Sequence, residues 1–136
     1  GGNSAIPAIK FLLNTQEKWL ENPPPEIFYN AVSCLSKLKY TSVETALQLI
    51  ILSLKAPGIE FNSEQIQTLS NFLGDRGTAR FLVIIFNLIW ERVQAKGNSD
   101  WFKGELASYD NEIEQMISYS DESVSTAASK LLDIIS

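Results

Sequence analysis

The apolar residues of this chain recur at helical spacings, and no stretch alternates apolar and polar residues with a period of two. A half-buried strand requires such alternation, so the pattern leaves helices as the regular elements. The apolar segment FLVIIFNLIW, residues 81–90, is rich in β-branched residues, but no Gly or Pro occurs from Thr78 to Lys96. Because strands are rarely this long, length favours a helix here, and the chain is expected to be all-α.

Turn and cap signals divide the chain into about seven helices. The run Pro23-Pro24-Pro25 ends the first helix and Pro57-Gly58 ends the third. Asn62 is placed to cap the fourth helix, and the last one is expected to begin after Ser120 or Asp121. The segment GDRG, residues 74–77, lacks the Lys-Ser/Thr ending of a phosphate-binding loop, which favours a helix end followed by a cap.

Taken in pairs, the helices form three antiparallel hairpins, at Glu26–Leu54, Ser63–Lys96 and Phe102–Ile135. The hairpins begin 37 and 39 residues apart, which is a period typical of helical solenoid repeats. The chain is therefore expected to be a fragment of an α-solenoid, in which the first helix is the second half of a severed repeat. Residues 1–4 are expected to be a cleavage scar or disordered, and residues 5–136 a single helical-repeat domain.

Two of the predicted second helices carry a shared short motif. SVETALQLI, from Ser42, and SVSTAASKLL, from Ser123, both contain Ser-Val-x-Thr-Ala. The segment DESVSTAASKLLDII resembles the second helix of a HEAT repeat, although Ser125 stands where that repeat usually has Arg. IIFNLIW, residues 84–90, is similar to the last helix of an armadillo repeat. The chain thus resembles the armadillo/HEAT superfamily, and the resemblance implies a stacked helical scaffold.

Arg80, Asn87 and Glu91 form the candidate binding surface, because spacings of seven and four place them on one face of an otherwise apolar helix. The Asn of an armadillo repeat lines the concave groove and holds an extended peptide backbone, and Asn87 matches that position. The resemblance implies that Asn87 bonds a partner's backbone. We expect Arg80 and Glu91 to set the polarity of the binding surface. The alternative is that these side chains face water or satisfy buried groups within the fold.

Several kinds of chemistry are excluded by composition. The chain has no His and a single Cys, so Ser/His and Cys/His nucleophilic pairs and structural zinc sites are ruled out. We expect no catalytic, cofactor or metal site and no enzymatic activity. Cys34 is expected to be inert packing, and the lack of disulfides favours the cytoplasm or nucleus. The longest apolar run is far shorter than the roughly 20 residues that span a bilayer, so no membrane partner is expected.

Negative charge is concentrated near the C-terminus. Residues 100–136 carry eight Asp/Glu but only Lys103 and Lys130, which argues against direct nucleic-acid binding and favours a basic protein or peptide partner. The expected function is a non-catalytic scaffold or adaptor segment that binds a partner peptide or helix. The alternative is a helical bundle that serves as an oligomerisation or assembly subunit. In that case the apolar stripe from Phe102 to Ile117 would be the seam of a homo-oligomer.

Overall fold

The computed structural model describes residues 2–136, and for residues 2–4 it describes the backbone alone. Over that range the chain is all-helical and contains no strand, so the all-α prediction is confirmed. Its eight α-helices are α1 (Gly2–Asn14), α2 (Pro25–Cys34), α3 (Tyr40–Ser53), α4 (Ser63–Ser70), α5 (Arg76–Ala95), α6 (Asp100–Leu106), α7 (Asp110–Glu114) and α8 (Glu122–Ile135).

The helices fall into two compact units, the first ending at Glu60 and the second covering Phe61–Ser136. Gly1 and the side chains of residues 2–4 lie outside the described residues, and the expectation of a cleavage scar or disorder at residues 1–4 stays a prediction. The single helical-repeat domain expected for residues 5–136 stays a prediction as well.

In the first unit, α3 is the central helix and contacts both α1 and α2. Its buried side chains, Val43, Ala46, Leu47, Leu49, Ile50 and Ser53, point in several directions around the helix axis. A helix of this kind needs cover on more than one side, which α1 and α2 provide. The proline run sets the start of α2, because Pro25 takes its first position and needs no N–H partner there. The end of the unit is held by the Glu60 N–H, which donates to Tyr29 Oη at 2.8 Å.

In the second unit, cap residues begin three helices where the sequence predicts them. Asn62 Oδ1 accepts from the Gln65 N–H, and Gln65 Oε1 accepts from the Asn62 N–H, both at 2.9 Å, which makes a capping box for α4. Asp75 caps α5 by accepting from the Gly77 N–H at 2.7 Å. Asp121 caps α8 by accepting from the Ser123 N–H at 2.9 Å. The predicted cap at GDRG and the predicted start of the last helix are both confirmed.

Two helices depart from the prediction. The first helix ends at Asn14 and is followed by a 3-10 turn at Gln16–Lys18, so it does not reach the proline run. The helix expected from Phe102 to Ile117 is not continuous. It is divided into α6, a 3-10 turn at Ala107–Tyr109, the short α7, and a second 3-10 turn at Gln115–Ser118. At the first break, Asp110 Oδ1 accepts from the N–H of Asn111 at 2.9 Å, a local bond that competes with the helical ladder. The apolar side chains stay on the inside across the break, since Phe102, Leu106, Ile113 and Met116 are all buried.

An aromatic cluster centred on Phe102 lies inside the second unit. Phe102 is fully buried, and its ring centroid lies 6.2 Å from that of Phe86, 5.7 Å from that of Trp90 and 6.1 Å from that of Trp101. Tilted and edge-on contacts of this kind stabilise a core beyond simple area burial. These aromatic side chains therefore pack against one another within the unit.

The second unit has a pairing pattern that involves four of its helices. α4 contacts α6, and α5 contacts α8, while α6 and α7 also contact α8. α4 and α6 belong to the first helices of the second and third predicted hairpins, and α5 and α8 are their second helices. First helices therefore contact each other, and so do second helices. The contact between α5 and α8 places the three candidate residues beside the last helix of the chain.

Candidate functional site

Helix α5 carries the three predicted site residues in different surroundings. Arg80 and Asn87 are half-buried, whereas Glu91 is exposed. The helix is 20 residues long, and its other faces are occupied by buried side chains, among them Leu82, Phe86 and Ile89. Arg80, Asn87 and Glu91, which we call the polar stripe of α5, therefore differ in exposure, and the contacts of each are described in turn.

Asn87 joins α5 to α8. Its Nδ2 donates to the Val83 carbonyl oxygen at 2.7 Å, one turn earlier in α5, and to the Ala127 carbonyl oxygen of α8 at 2.8 Å. A carbonyl oxygen can only accept, so these two contacts fix which end of the amide is the nitrogen. Both amide hydrogens are thus used within the protein, and Oδ1 is the part of the side chain that remains to accept a bond.

Arg80 lies near the beginning of α8 and does not line the cavity described below. Its Nε donates to the Gly77 carbonyl oxygen at 2.9 Å, and its guanidinium carbon lies 4.2 Å from the centroid of the Phe81 ring. It also attracts the Asp121 carboxylate electrostatically. The Arg76 guanidinium carbon lies 5.6 Å from the centroid of the Tyr119 ring, just before α8, and Asn87 bonds Ala127, so residue numbers increase together along the two helices. α5 and α8 therefore run in the same direction.

A cavity of about 540 Å³ lies between α5 and α8. We call this feature the α5–α8 groove, and its lining residues are Ile84, Asn87, Leu88 and Glu91 of α5 together with Glu122, Ser123, Thr126, Ala127 and Lys130 of α8. Its volume falls within the range of about 300–1,000 Å³ that is typical of ligand pockets. The structure thus brings Asn87 and Glu91 together on one concave surface and leaves Arg80 outside it.

The α8 side of the groove was not predicted as a site, although one sequence signal pointed to it. The small side chains of Ala127 and Ala128 allow close helix contact, and the Ala127 carbonyl is the acceptor for Asn87. The sequence does not mark the polar residues of α8 as part of a site, because exposed polar residues on an amphipathic helix normally face water. These residues are Glu122, Thr126 and Lys130. Only the pairing of α8 with α5 makes them groove residues.

Asp121 and Ser123 give the beginning of α8 a fixed negative charge. The Ser123 hydroxyl donates to Asp121 Oδ1 at 2.7 Å, and the Ser123 N–H donates to the same oxygen at 2.9 Å. These bonds, led by the one from the hydroxyl, together with weaker attraction from Arg80, hold the pKa of Asp121 below its ordinary value. The carboxylate is ionised at neutral pH, and the donor hydrogen of Ser123 is engaged.

Cys34, the one thiol of the chain, is half-buried at the end of α2. Burial raises its pKa above the ordinary value, which outweighs the lowering by a backbone hydrogen bond and by Lys37. Its Sγ donates to the Ala31 carbonyl oxygen at 3.3 Å. Because the thiolate is the reactive form, these surroundings lower the reactivity of Cys34.

Two features are absent from residues 2–136, the part of the chain that the structure describes. No cluster of three or more His, Cys, Asp or Glu side chains in this range is arranged to hold a metal ion. Within the same range, every helix is too short or too polar to cross a bilayer.

Comparison of the chain with protein-family models, with curated proteins and with solved structures finds no match.

Proposed function

We propose that this chain is a non-catalytic protein–protein interaction module, an armadillo/HEAT-like scaffold or adaptor segment that holds a partner peptide or helix in the α5–α8 groove. The observation that carries the proposal is the groove itself. It is concave, it is lined by the apolar side chains of Ile84 and Leu88 together with charged side chains, and its two helices are joined by Asn87.

The pairing of helices in the second unit supports the solenoid part of the proposal. In an α-solenoid, the first helices of neighbouring repeats lie side by side, and the second helices do the same in the same direction. The contact of α4 with α6 fits the first pairing, and the contact of α5 with α8 fits the second. The Gln67 Nε2 bond to Glu105 Oε2, at 3.2 Å, adds a polar link between α4 and α6.

The residues of the polar stripe take separate roles in this proposal. Asn87 fixes the spacing of α5 and α8 with its nitrogen and offers Oδ1 to the ligand. Glu91 lines the groove and sets its charge. Arg80 lies outside the groove and attracts the Asp121 carboxylate only weakly, so it is given no ligand contact. The role of a direct ligand contact is thus assigned to Asn87 and Glu91.

The proposed partner presents a basic surface to the second unit. Glu91 and Glu122 line the groove against the single cation Lys130, and residues 100–136 carry eight acids against two lysines. Complementary charge of this kind speeds association and excludes acidic competitors, and it is weakened by salt.

The test is affinity capture with the full chain and with charge-reversal variants. Glu91→Arg/Glu122→Arg changes two exposed groove residues, and Glu21→Arg/Glu114→Arg makes the same change in net charge at exposed positions outside the groove. The groove variant is expected to lose proteins that the wild-type chain and the control variant both retain. Circular dichroism and the melting temperature establish that both variants are folded. Identical capture by the two variants would remove the groove from the proposal.

The alternative function is an oligomerisation or assembly subunit, and the burial of its expected contact surface weakens the argument for it. The apolar stripe from Phe102 to Ile117 was its expected seam, but Phe102, Leu106, Ile113 and Met116 are all buried within the fold. Ile117 remains 41% exposed, which is too little surface for a coiled-coil seam. Light scattering across a range of concentrations is the measurement that distinguishes a self-associating chain from a monomeric module.

A further inference from the structure

Hydrogen-bond acceptors dominate the polar lining of the α5–α8 groove. Both amide hydrogens of Asn87 are donated to carbonyl oxygens, and the hydroxyl hydrogen of Ser123 is donated to Asp121. The carboxylates of Glu91 and Glu122 can only accept. Among the lining residues, donors remain on Thr126 and Lys130.

This imbalance decides what kind of backbone the groove can receive. An extended peptide brings one N–H and one C=O per residue, and each C=O that is buried needs a donor. The groove has few free donors, because the Asn87 nitrogen already donates both of its hydrogens within the protein and only Oδ1 is left to bond a peptide. A helix satisfies its own N–H and C=O groups internally and presents only side chains.

We infer, building on the proposed function, that the groove binds an amphipathic helix that carries Lys or Arg residues beside its apolar face. Apolar side chains at spacings of three and four would contact Ile84 and Leu88, as in other helix-in-groove complexes. Basic side chains would meet the acceptors Glu91 and Glu122. The partner is thus identified by its helical form and its positive charge together.

The positions of the two carboxylates set the spacing of the basic residues. Asn87 and Ala127 lie at the same level because they are hydrogen-bonded. Glu91 lies four residues beyond that level on α5, and Glu122 lies five residues before it on α8. Nine residues of helix correspond to roughly 14 Å along the axis. The two basic residues of the ligand helix are therefore expected about seven to eleven positions apart, flanking the apolar stripe.

Three synthetic 18-residue peptides test the inference against the full chain by fluorescence anisotropy at low salt. The first has Leu residues at helical spacing and two Lys residues nine positions apart. The second has the same sequence with two central Pro residues that prevent helix formation, and the third has Glu in place of each Lys. The first peptide is expected to bind at least about tenfold more tightly than either of the others.

Single charge removals locate the binding. Glu91→Gln and Glu122→Gln are each expected to weaken the first peptide about threefold, the size of effect usual for an exposed ion pair. Glu114→Gln, an exposed carboxylate on α7 that does not line the groove, should leave the affinity unchanged. Equal weakening by Glu114→Gln would show that general charge, and not the groove, attracts the peptide, and would overturn the inference.

The remaining outcomes separate the inference from the proposed function. If the proline-containing peptide binds as well as the helical one, the helical ligand is wrong, while a groove that binds peptides still stands. If the acidic peptide binds equally well, the basic ligand is wrong. If none of the three peptides binds, the inference fails, and the proposed function is then judged by the capture experiment with the charge-reversal variants alone.

Discussion

Replacing Asn87 with Ala is expected to lower the free energy of unfolding by about 1.5 kcal/mol. The reason is that the Asn87 amide joins α5 to α8, two helices that are far apart in the sequence. The substitution removes two hydrogen bonds, of 2.7 Å to the Val83 carbonyl and of 2.8 Å to the Ala127 carbonyl. Each such bond contributes about 1 kcal/mol net. The higher helix propensity of Ala returns about 0.5 kcal/mol.

The loss stays moderate because neither carbonyl is left without a partner. Val83 and Ala127 both lie inside α-helices, where each carbonyl also accepts from the N–H four residues later. Asn87→Asp should cost more than Asn87→Ala, although Asp has nearly the same shape as Asn. A carboxylate cannot donate, and it would place negative charge within about 3 Å of two carbonyl oxygens.

The assay is chemical denaturation followed by circular dichroism, with Asn111→Ala as the matched control. Asn111 is exposed on α7 in the same unit. The expected order of stability is wild type and Asn111→Ala together, then Asn87→Ala, then Asn87→Asp. If Asn87→Ala is as stable as Asn111→Ala, the amide does not hold α5 and α8 together, and the spacing of the groove needs another explanation.

Three further results are expected. Asn62→Ala should lower the free energy of unfolding by about 1 kcal/mol in the same assay, because it removes the bond from the Gln65 N–H to Asn62 Oδ1 that caps α4. Glu112→Leu should raise it by about 1 kcal/mol, since one Glu112 oxygen is buried without a hydrogen bond among the described residues, and a loss of stability would contradict this. Because burial raises the pKa of Cys34, the stability that its neutral thiol contributes is present below the ordinary value of 9.0 and is lost as the pH rises through the higher folded value. Wild type should therefore lose more stability than Cys34→Ala as the pH rises above 9, and the two falling in parallel would refute the assignment.

The fold was predictable where local chemistry decides it. Caps such as Asn62, Asp75 and Asp121 act on backbone groups two or three residues away, so their effect is contained in a short stretch of sequence. The division between α6 and α7 was not predictable from apolar spacing. The buried residues Phe102 and Ile113 keep a helical pattern across the break, and the competing bond made by Asp110 is a matter of geometry.

The candidate site was predictable only on one of its two sides. Spacing along α5 placed Asn87 and Glu91 on the same face, and both line the groove. The opposite wall, which includes Glu122 and Lys130, depends on which helix lies beside α5. The contact between α5 and α8 joins residues about 40 positions apart in sequence. The apolar spacing within α5 carries no direct signal of such a pairing.

Asn87 illustrates why a polar residue on an apolar helix has two interpretations that spacing alone does not separate. Binding a ligand and satisfying the fold were both open, and in the structure the amide nitrogen serves the fold while the oxygen is left for the proposed ligand. The nitrogen is committed to Val83 and Ala127, because only a donor can bond two carbonyl oxygens. The oxygen is left as an acceptor beside the carboxylates of Glu91 and Glu122. A residue that joins the walls of a groove thereby also determines its polarity, so the ligand that we propose for this groove must bring its own donors.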